Sequence, residues 1–134
     1  MSKLFIDTNI LISAIVFDGN ELEVIIVSLE RGDEVYISEH IIEEATRVIL
    51  KKFPDHIELF ENFIETSSIR IVKIEDYIDS IIGINGIRDK FDAHVIACAQ
   101  RMNCDYIISG DKDLLTFSGS SVIIITSKEY LSMQ

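Results

Sequence analysis

Apolar residues along this chain fall into two rhythms. Short runs rich in β-favouring residues, Leu4 to Asp7, Glu34 to Ile37, Ile69 to Ile74, Asp105 to Ser109 and Val122 to Ile125, predict five strands separated by helix-length segments. Ile10 to Phe17 predicts a short helix, and Glu21 to Arg31 a longer one that Gly32 stops. Ser38 is placed to cap a helix running through Lys52, with Pro54 just past its end. Within that helix Ile41, Ile42, Ala45, Val48 and Ile49 recur at three- and four-residue steps, which gives it one apolar, core-facing stripe. Asp55 to Thr66 carries Ile57, Leu59, Phe60, Phe63 and Ile64 on a second amphipathic helix, so the two resemble a helical hairpin. Glu75 to Ile82 predicts a weaker helix, Asn85-Gly86 a turn, Asp92 to Met102 a strong helix and Ser127 to Met133 a closing one.

Strand and helix alternate throughout, so the expected class is α/β. The expected architecture is a three-layer α/β/α sandwich around a mostly parallel central sheet of about five strands. No internal repeat or low-complexity tract interrupts it. A length of 134 residues suits one domain, 1–134, able to bury roughly two thirds of its unfolded surface. With 48% apolar residues, one proline and six glycines, little of the chain reads as linker or disorder. No apolar run approaches the roughly 20 residues of a membrane span, and the first residues enter a strand rather than a signal segment. The expectation is no membrane association and a cytoplasmic address. Cys98 and Cys104 lie six apart, matching neither a redox pair nor a zinc pattern, and are expected to be reduced and buried.

A net charge of −11 argues against a general nucleic-acid-binding surface, which needs clustered Lys and Arg. It does not exclude a phosphate substrate. Bound metal inverts the local field, and Arg47, Lys51 and Lys52, or Arg88 and Lys90, are available to line a groove. Acidity alone equally suits a solvated surface or a basic protein partner.

The acids themselves are more informative, because they fall at the ends of apolar runs. Asp7 follows Lys3-Leu4-Phe5-Ile6 and is followed by Thr8 and Asn9. Asp92 opens an alanine-rich apolar segment three residues after Asp89, and Asp111 and Asp113 follow Tyr106-Ile107-Ile108-Ser109-Gly110, where Gly110 allows a sharp turn. Glu43 and Glu44 interrupt the apolar pattern between Ile42 and Ala45; Glu44, one turn from Ile41 and Val48, is the better inward candidate. Taken singly, each of these positions is explained as well by helix capping, by an ordinary turn or by solvation. Taken together, a strand-end Asp, a helical Glu, a helix-start Asp and a second strand-end Asp are poorly explained as coincidental caps. In an open parallel sheet the strand ends face a common crevice, where such acids converge. Converged carboxylates without fixed cations repel, and a divalent metal is the simplest way to stabilise them.

These segments carry a family resemblance over nearly the full length. Asp7-Thr8-Asn9, Ser38-Glu39-His40-Ile41-Ile42-Glu43-Glu44, Asp92-Ala93-His94-Val95-Ile96-Ala97 and Ser109-Gly110-Asp111-Lys112-Asp113-Leu114 occur in an order and spacing similar to those of PIN-domain nucleases, VapC-type toxins among them. The resemblance implies a metal site formed by Asp7, Glu44, Asp92 and Asp111, with Thr8, Asn9 and Ser109 in support. Glu43 adjoins Glu44, Asp89 stands near Asp92, and Asp113 is an alternative or companion to Asp111. It further implies an endoribonuclease with an RNA substrate, a homodimer, and an antitoxin protein that blocks the site in a toxin–antitoxin pair. Exposed apolar helix surface around Ile25 or Phe60 would suit either protein contact.

Oxygen ligands favour Mg²⁺ or Mn²⁺. Such an ion lowers the pKa of a bound water and offsets charge on the scissile phosphate; Asp7 and Asp92 would be direct ligands, and Glu44 or Asp111 would hold or deprotonate the water. The rival reading is a PIN-like scaffold that binds RNA or protein without cleaving, or a PIN nuclease of RNA processing with no antitoxin. A response-regulator-like receiver fits less well, because its acids cluster near its first strand and a Lys stands near its last. His40 and His56 are expected on helix surfaces, His94 partly exposed near Asp92, and no serine or cysteine stands at a nucleophile turn to make a triad. A phosphate-cradling glycine loop is also missing from the sequence.

Overall fold

Five short strands, β1 (Lys3–Ile6), β2 (Glu34–Ser38), β3 (Arg70–Val72), β4 (Tyr106–Ile108) and β5 (Ile123–Ile125), form one sheet in a computed structural model that describes residues 1–133. Their order is β3-β2-β1-β4-β5, and all four pairings are parallel. Leu4, Phe5 and Ile6 are fully buried, which is why β1 reads as a continuous apolar run rather than an alternation: a central parallel strand is covered on both faces. The register sets Ile6 opposite Ile108, so β1 and β4 end level and release the chain side by side at Asp7 and Ser109.

The helices are α1 (Thr8–Val16), α2 (Asn20–Arg31), α3 (Glu39–Lys52), α4 (Ile57–Thr66), α5 (Lys90–Arg101), α6 (Lys112–Leu115) and α7 (Ser127–Ser132). α1 packs on α2 and α3, and α2 on α7, while α5 lies against β1, β2 and β4. Successive strands first step outward from β1 to β3, then jump back to β4. With right-handed crossovers that reversal puts α5 on the opposite face from the helices joining β1, β2 and β3, giving the three layers expected. It also makes the β1–β4 boundary the topological switch point of the sheet.

Local chemistry sets the helix ends. Gly32, at φ +75°, takes the left-handed position after α2, where its N–H meets the Leu29 carbonyl and the Asp33 N–H the Ser28 carbonyl. Ser38 Oγ accepts from the Ile41 N–H at 3.2 Å and starts α3, whose Ile41, Ala45 and Ile49 are fully buried. Each isoleucine of that stripe stabilises the fold by roughly 1.5–3 kcal/mol. Cys98 and Cys104 are buried and unbridged.

Several elements differ from the sequence expectation. α1 begins at Thr8 and α5 at Lys90, because Asp7 and Asp89 take the capping positions and draw the first turn back toward themselves. The segment expected as a helix over Glu75 to Ile82 is two 3₁₀ turns, Ile74–Asp76 and Ile78–Gly83. Neither has a side-chain cap, and the apolar residues do not share a face: Tyr77 is buried while Ile82 is 86% exposed. β3 is shorter than expected, and the short helix α6 was not foreseen. Ile25 and Phe60 are themselves buried; the exposed apolar positions beside them are Ile26, Leu29 and Leu59.

Candidate metal and phosphate site

Asp7 stands where β1 hands over to α1. Its Oδ1 accepts from the Thr8 N–H at 2.8 Å and its Oδ2 from the Ser109 hydroxyl at 2.8 Å, so both oxygens are pinned. Ser109 stands in the equivalent place after β4, its own N–H donating to the Ile125 carbonyl of β5 at 3.0 Å. The Asp111 N–H in turn donates to Ser109 Oγ at 3.0 Å. Asp7 and Ser109 are buried, Asp111 half-buried. Gly110 has no left-handed φ and open space around it, so this turn is carried by the serine bridge rather than by glycine freedom.

Asp92 lies on the first turn of α5. Asp89, exposed, does the capping there, its Oδ1 accepting from the Phe91 N–H at 2.8 Å, which leaves the Asp92 carboxylate unused by the helix. Asp92 is 4% exposed, and its Oδ2 has no hydrogen-bond partner. Asp111 caps α6 through the Asp113 N–H at 2.8 Å. Asp92, Asp111 and Asp113 can each present one oxygen such that all three lie within 4.8 Å of one another. The structure thus joins Asp113 to Asp92 and Asp111, whereas Asp7 lies one serine away from that trio.

Glu44 approaches from α3. It is half-buried and raises the pKa of Asp7 by its charge, while Glu43 is exposed and acts instead on His40 and His94. The two glutamates therefore face different neighbours. Thr8 is buried with its hydroxyl beside Glu44, and Asn9 is exposed.

The electrostatics follow from this crowding. Burial raises the Asp7 carboxyl above its ordinary value; the Ser109 and Thr8 hydrogen bonds oppose the shift, and Asp111 and Glu44 add to it. Burial raises Asp92 to about 7, reinforced by Asp111, Asp89, Asp7 and Asp113. Glu44 is raised by burial and by Asp89, against the Thr8 hydroxyl and Arg47. Three raised acids and an unpartnered buried carboxylate oxygen are what a hard divalent cation would resolve, since it supplies the missing positive charge and accepts oxygen ligands. The donor set fits Mg²⁺ or Mn²⁺ on chemistry.

Sequence reading missed the surroundings of the acids. His40 stacks on His94 at 3.9 Å between ring centroids and on Phe91 at 4.4 Å, and Tyr77 Oη meets His94 Nδ1 at 2.8 Å. These rings join the start of α3 to the start of α5, so both histidines are structural contacts rather than plain surface residues. Burial lowers both of their pKa values. Arg88 reaches Asp113 at 3.3 Å beside a groove of about 390 Å³ that Phe117 also lines. A lone aromatic in the polar stretch Thr116 to Ser121 was the available signal for that groove.

Comparison with known proteins agrees with this fold. Residues 3–113 match a family model described as the PIN domain. No curated protein sequence matches the chain. A toxin–antitoxin complex from Klebsiella pneumoniae contains a chain with the same fold, at 24% identity and TM-score 0.68, the match covering 94% of this chain and 98% of that one. VapBC2 from Rickettsia felis, bound to a DNA fragment from its promoter, gives 15% identity and TM-score 0.69 over 92% and 98%. VapC20 of Mycobacterium tuberculosis, a Sarcin-Ricin loop cleaving toxin, gives 12% identity and TM-score 0.59 over 83% and 92%.

Proposed function

The chain belongs to the PIN-domain family, and from that premise we propose that it is a metal-dependent endoribonuclease, the toxin of a type II toxin–antitoxin pair. The observation that carries the reading is the convergence of Asp92, Asp111 and Asp113, joined to Asp7 through Ser109, at the switch point of the sheet, with Asp92 Oδ2 left unpartnered. Capping accounts for Asp7, Asp89 and Asp111; it leaves Asp92 unexplained.

In this reading Asp92, Asp111 and Asp113 hold Mg²⁺ or Mn²⁺, and Asp7 completes the site from the β1 end. When bound, the ion supplies an acidified water and offsets charge gathering on the phosphoryl group. The chain's own residues do the rest. Ser109 keeps the Asp7 carboxylate facing the cluster, and its bond from the Asp111 N–H fixes the second acid relative to the first. Glu44, whose carboxyl burial raises above its ordinary value, accepts a proton from the attacking water as that water's oxygen bonds to phosphorus; the P–O bond to the ribose oxygen breaks and the leaving oxygen takes a proton from solvent water.

The toxin assignment is supported by the likeness to chains from toxin–antitoxin complexes, and an antitoxin covering the cleft and a homodimer are part of the proposal. Among the described residues no helix is long and apolar enough to cross a membrane; a cytoplasmic address, where the enzyme meets RNA, is part of the proposal. Incubating a mixed RNA pool with the purified protein in Mg²⁺, Mn²⁺ or EDTA, beside Asp7→Asn, tests the reading. Cleavage should need both metal and Asp7, with the variant slower by at least about a hundredfold. Undiminished cleavage by a folded Asp7→Asn protein would reject the mechanism.

A further inference from the structure

The groove of about 390 Å³ opens beside the acids, between the loop before α5 and the loop after α6, and Asp113 belongs to both groove and metal cluster. Its aromatic wall is the half-buried Phe117, whose ring tip abuts Gly119: a Cβ there would fall 2.5 Å from Phe117 Cζ, so a side chain at 119 would displace the ring. Gly86, at φ +86°, borders the same ring from the other loop, where a Cβ would stand 3.7 Å from Cε1. Two positions without side chains thus flank one aromatic ring. Arg88 spans the groove to both Asp113 oxygens at 3.3 and 3.4 Å, its side chain 87% exposed. An ion pair this exposed adds little to stability. A cation held by Asp92, Asp111 and Asp113 competes with Arg88 for the same carboxylate, which leaves the guanidinium poised at the rim of the cluster.

We infer that this groove is a binding subsite for a nucleotide of single-stranded RNA flanking the scissile phosphate, with the base packed on Phe117, its edge met by Asn85, and the adjoining phosphate paired to Arg88. The inference rests on the ribonuclease reading of the neighbouring acids and goes beyond it by assigning where substrate is held. An aromatic face, an amide and a guanidinium fork complement a base and a phosphate. A basic peptide arm would instead meet Arg88 as a like charge. In a chain of net charge −11, a guanidinium whose Asp113 partner is taken over by the metal is also what a polyanion needs in order to approach.

The test is fluorescence anisotropy of a labelled mixed-sequence single-stranded RNA on the full chain with Ca²⁺, which takes the same carboxylate ligands. It is run on wild type, Phe117→Leu and Arg88→Ala, and paired with cleavage assays in Mg²⁺ and Mn²⁺. Each substitution should weaken RNA binding about tenfold or more, without lowering affinity for Mn²⁺ alone. Arg88 is exposed enough that its removal leaves the fold intact, so that variant decides the matter if Phe117→Leu melts early. RNA binding that depends on both residues, without cleavage by any metal form, would sink the nuclease reading and keep the subsite. Cleavage with unchanged RNA affinity in Arg88→Ala would keep the nuclease and overturn the subsite, as would failure of the wild type to bind the RNA. A polyarginine peptide bound more tightly by Arg88→Ala, with RNA affinity unmoved, would assign the groove to a protein arm and overturn the proposal.

Discussion

The Ser109 hydroxyl donates to Asp7 and accepts from the Asp111 N–H, so one small side chain sets the spacing of two acids that leave different strands. Ser109→Ala should therefore lower Mn²⁺ affinity or cleavage roughly 10- to 100-fold while the fold persists, as titration calorimetry and circular dichroism would show. Glu44 and Glu43 make a sharper comparison, because only the former is half-buried beside Thr8 and electrostatically coupled to Asp7. Glu44→Gln should slow cleavage at least tenfold more than Glu43→Gln; the reverse order would move the role by one position. That Asp7, Asp92 and Asp111 lie at one edge of the sheet was legible in sequence because each sits at the end of an apolar run, where packing gives a carboxylate no reason to be. Asp113 stayed open there, since two acids separated by one residue in a loop do not reveal which turns inward until the Arg88 pair and the Asp111 cap are seen. The aromatic stack of Phe91, His40 and His94 could not be read, because Phe91 and His94 lie three apart on α5 while the ring that joins them, His40, comes from α3.

At the level of elements, α5 shows how a cap decides a site. Asp89 binds the Phe91 N–H and fixes where the first turn begins, and that phase aims Asp92 at the cluster instead of at the helix. Asp89→Ala should cost about 1 kcal/mol of stability, read from urea melts, and should also weaken Mn²⁺ binding by loosening the turn that presents Asp92. Asp89→Asn, which keeps the cap, should restore most of that stability. Strands β1, β2, β4 and β5 were legible because their β-favouring runs are bounded by acids, serine and asparagine. The segment over residues 74 to 83 was not, because isoleucines there mimic a helical stripe while only Tyr77 is fully buried, Ile74 and Ile81 are partly so, and Ile78 and Ile82 are exposed. α6 escaped notice because a four-residue helix has no period to detect; it exists by virtue of the Asp111 cap.

For the molecule as a whole, the crowded acids tie stability to pH. Asp92 is raised to about 7, and Asp7 and Glu44 are raised too, so between the ordinary carboxylate range and neutrality the metal-free fold binds more protons than the unfolded chain. This contribution is fully present below the unfolded pKa and is lost as pH rises through about 7, so the metal-free protein should melt lower at pH 8 than at pH 5. A few kcal/mol at stake corresponds to a fall on the order of 10 °C by differential scanning fluorimetry. Asp92→Asn should flatten the profile and raise the melting point at pH 8. Mn²⁺ should raise it in the wild type but far less in the variant, and a metal-free wild-type profile that rises from pH 5 to 8 would contradict the crowding described here.

The position of β1 in the middle of the sheet has a consequence in the time of synthesis. Its β2 flank is paired by residues made about thirty positions later, but its other flank waits for β4, and Asp7 waits for Ser109, 102 residues further along the chain. At roughly 5–20 residues per second a ribosome needs some 5–20 s to cover that interval. Until its end the nascent chain carries Asp7, and later Glu44 and Asp92, without Ser109 to join them to Asp111 and Asp113. If the proposed ribonuclease reading holds, the ribosome making the chain is spared until Ser109, Asp111 and Asp113 have been translated.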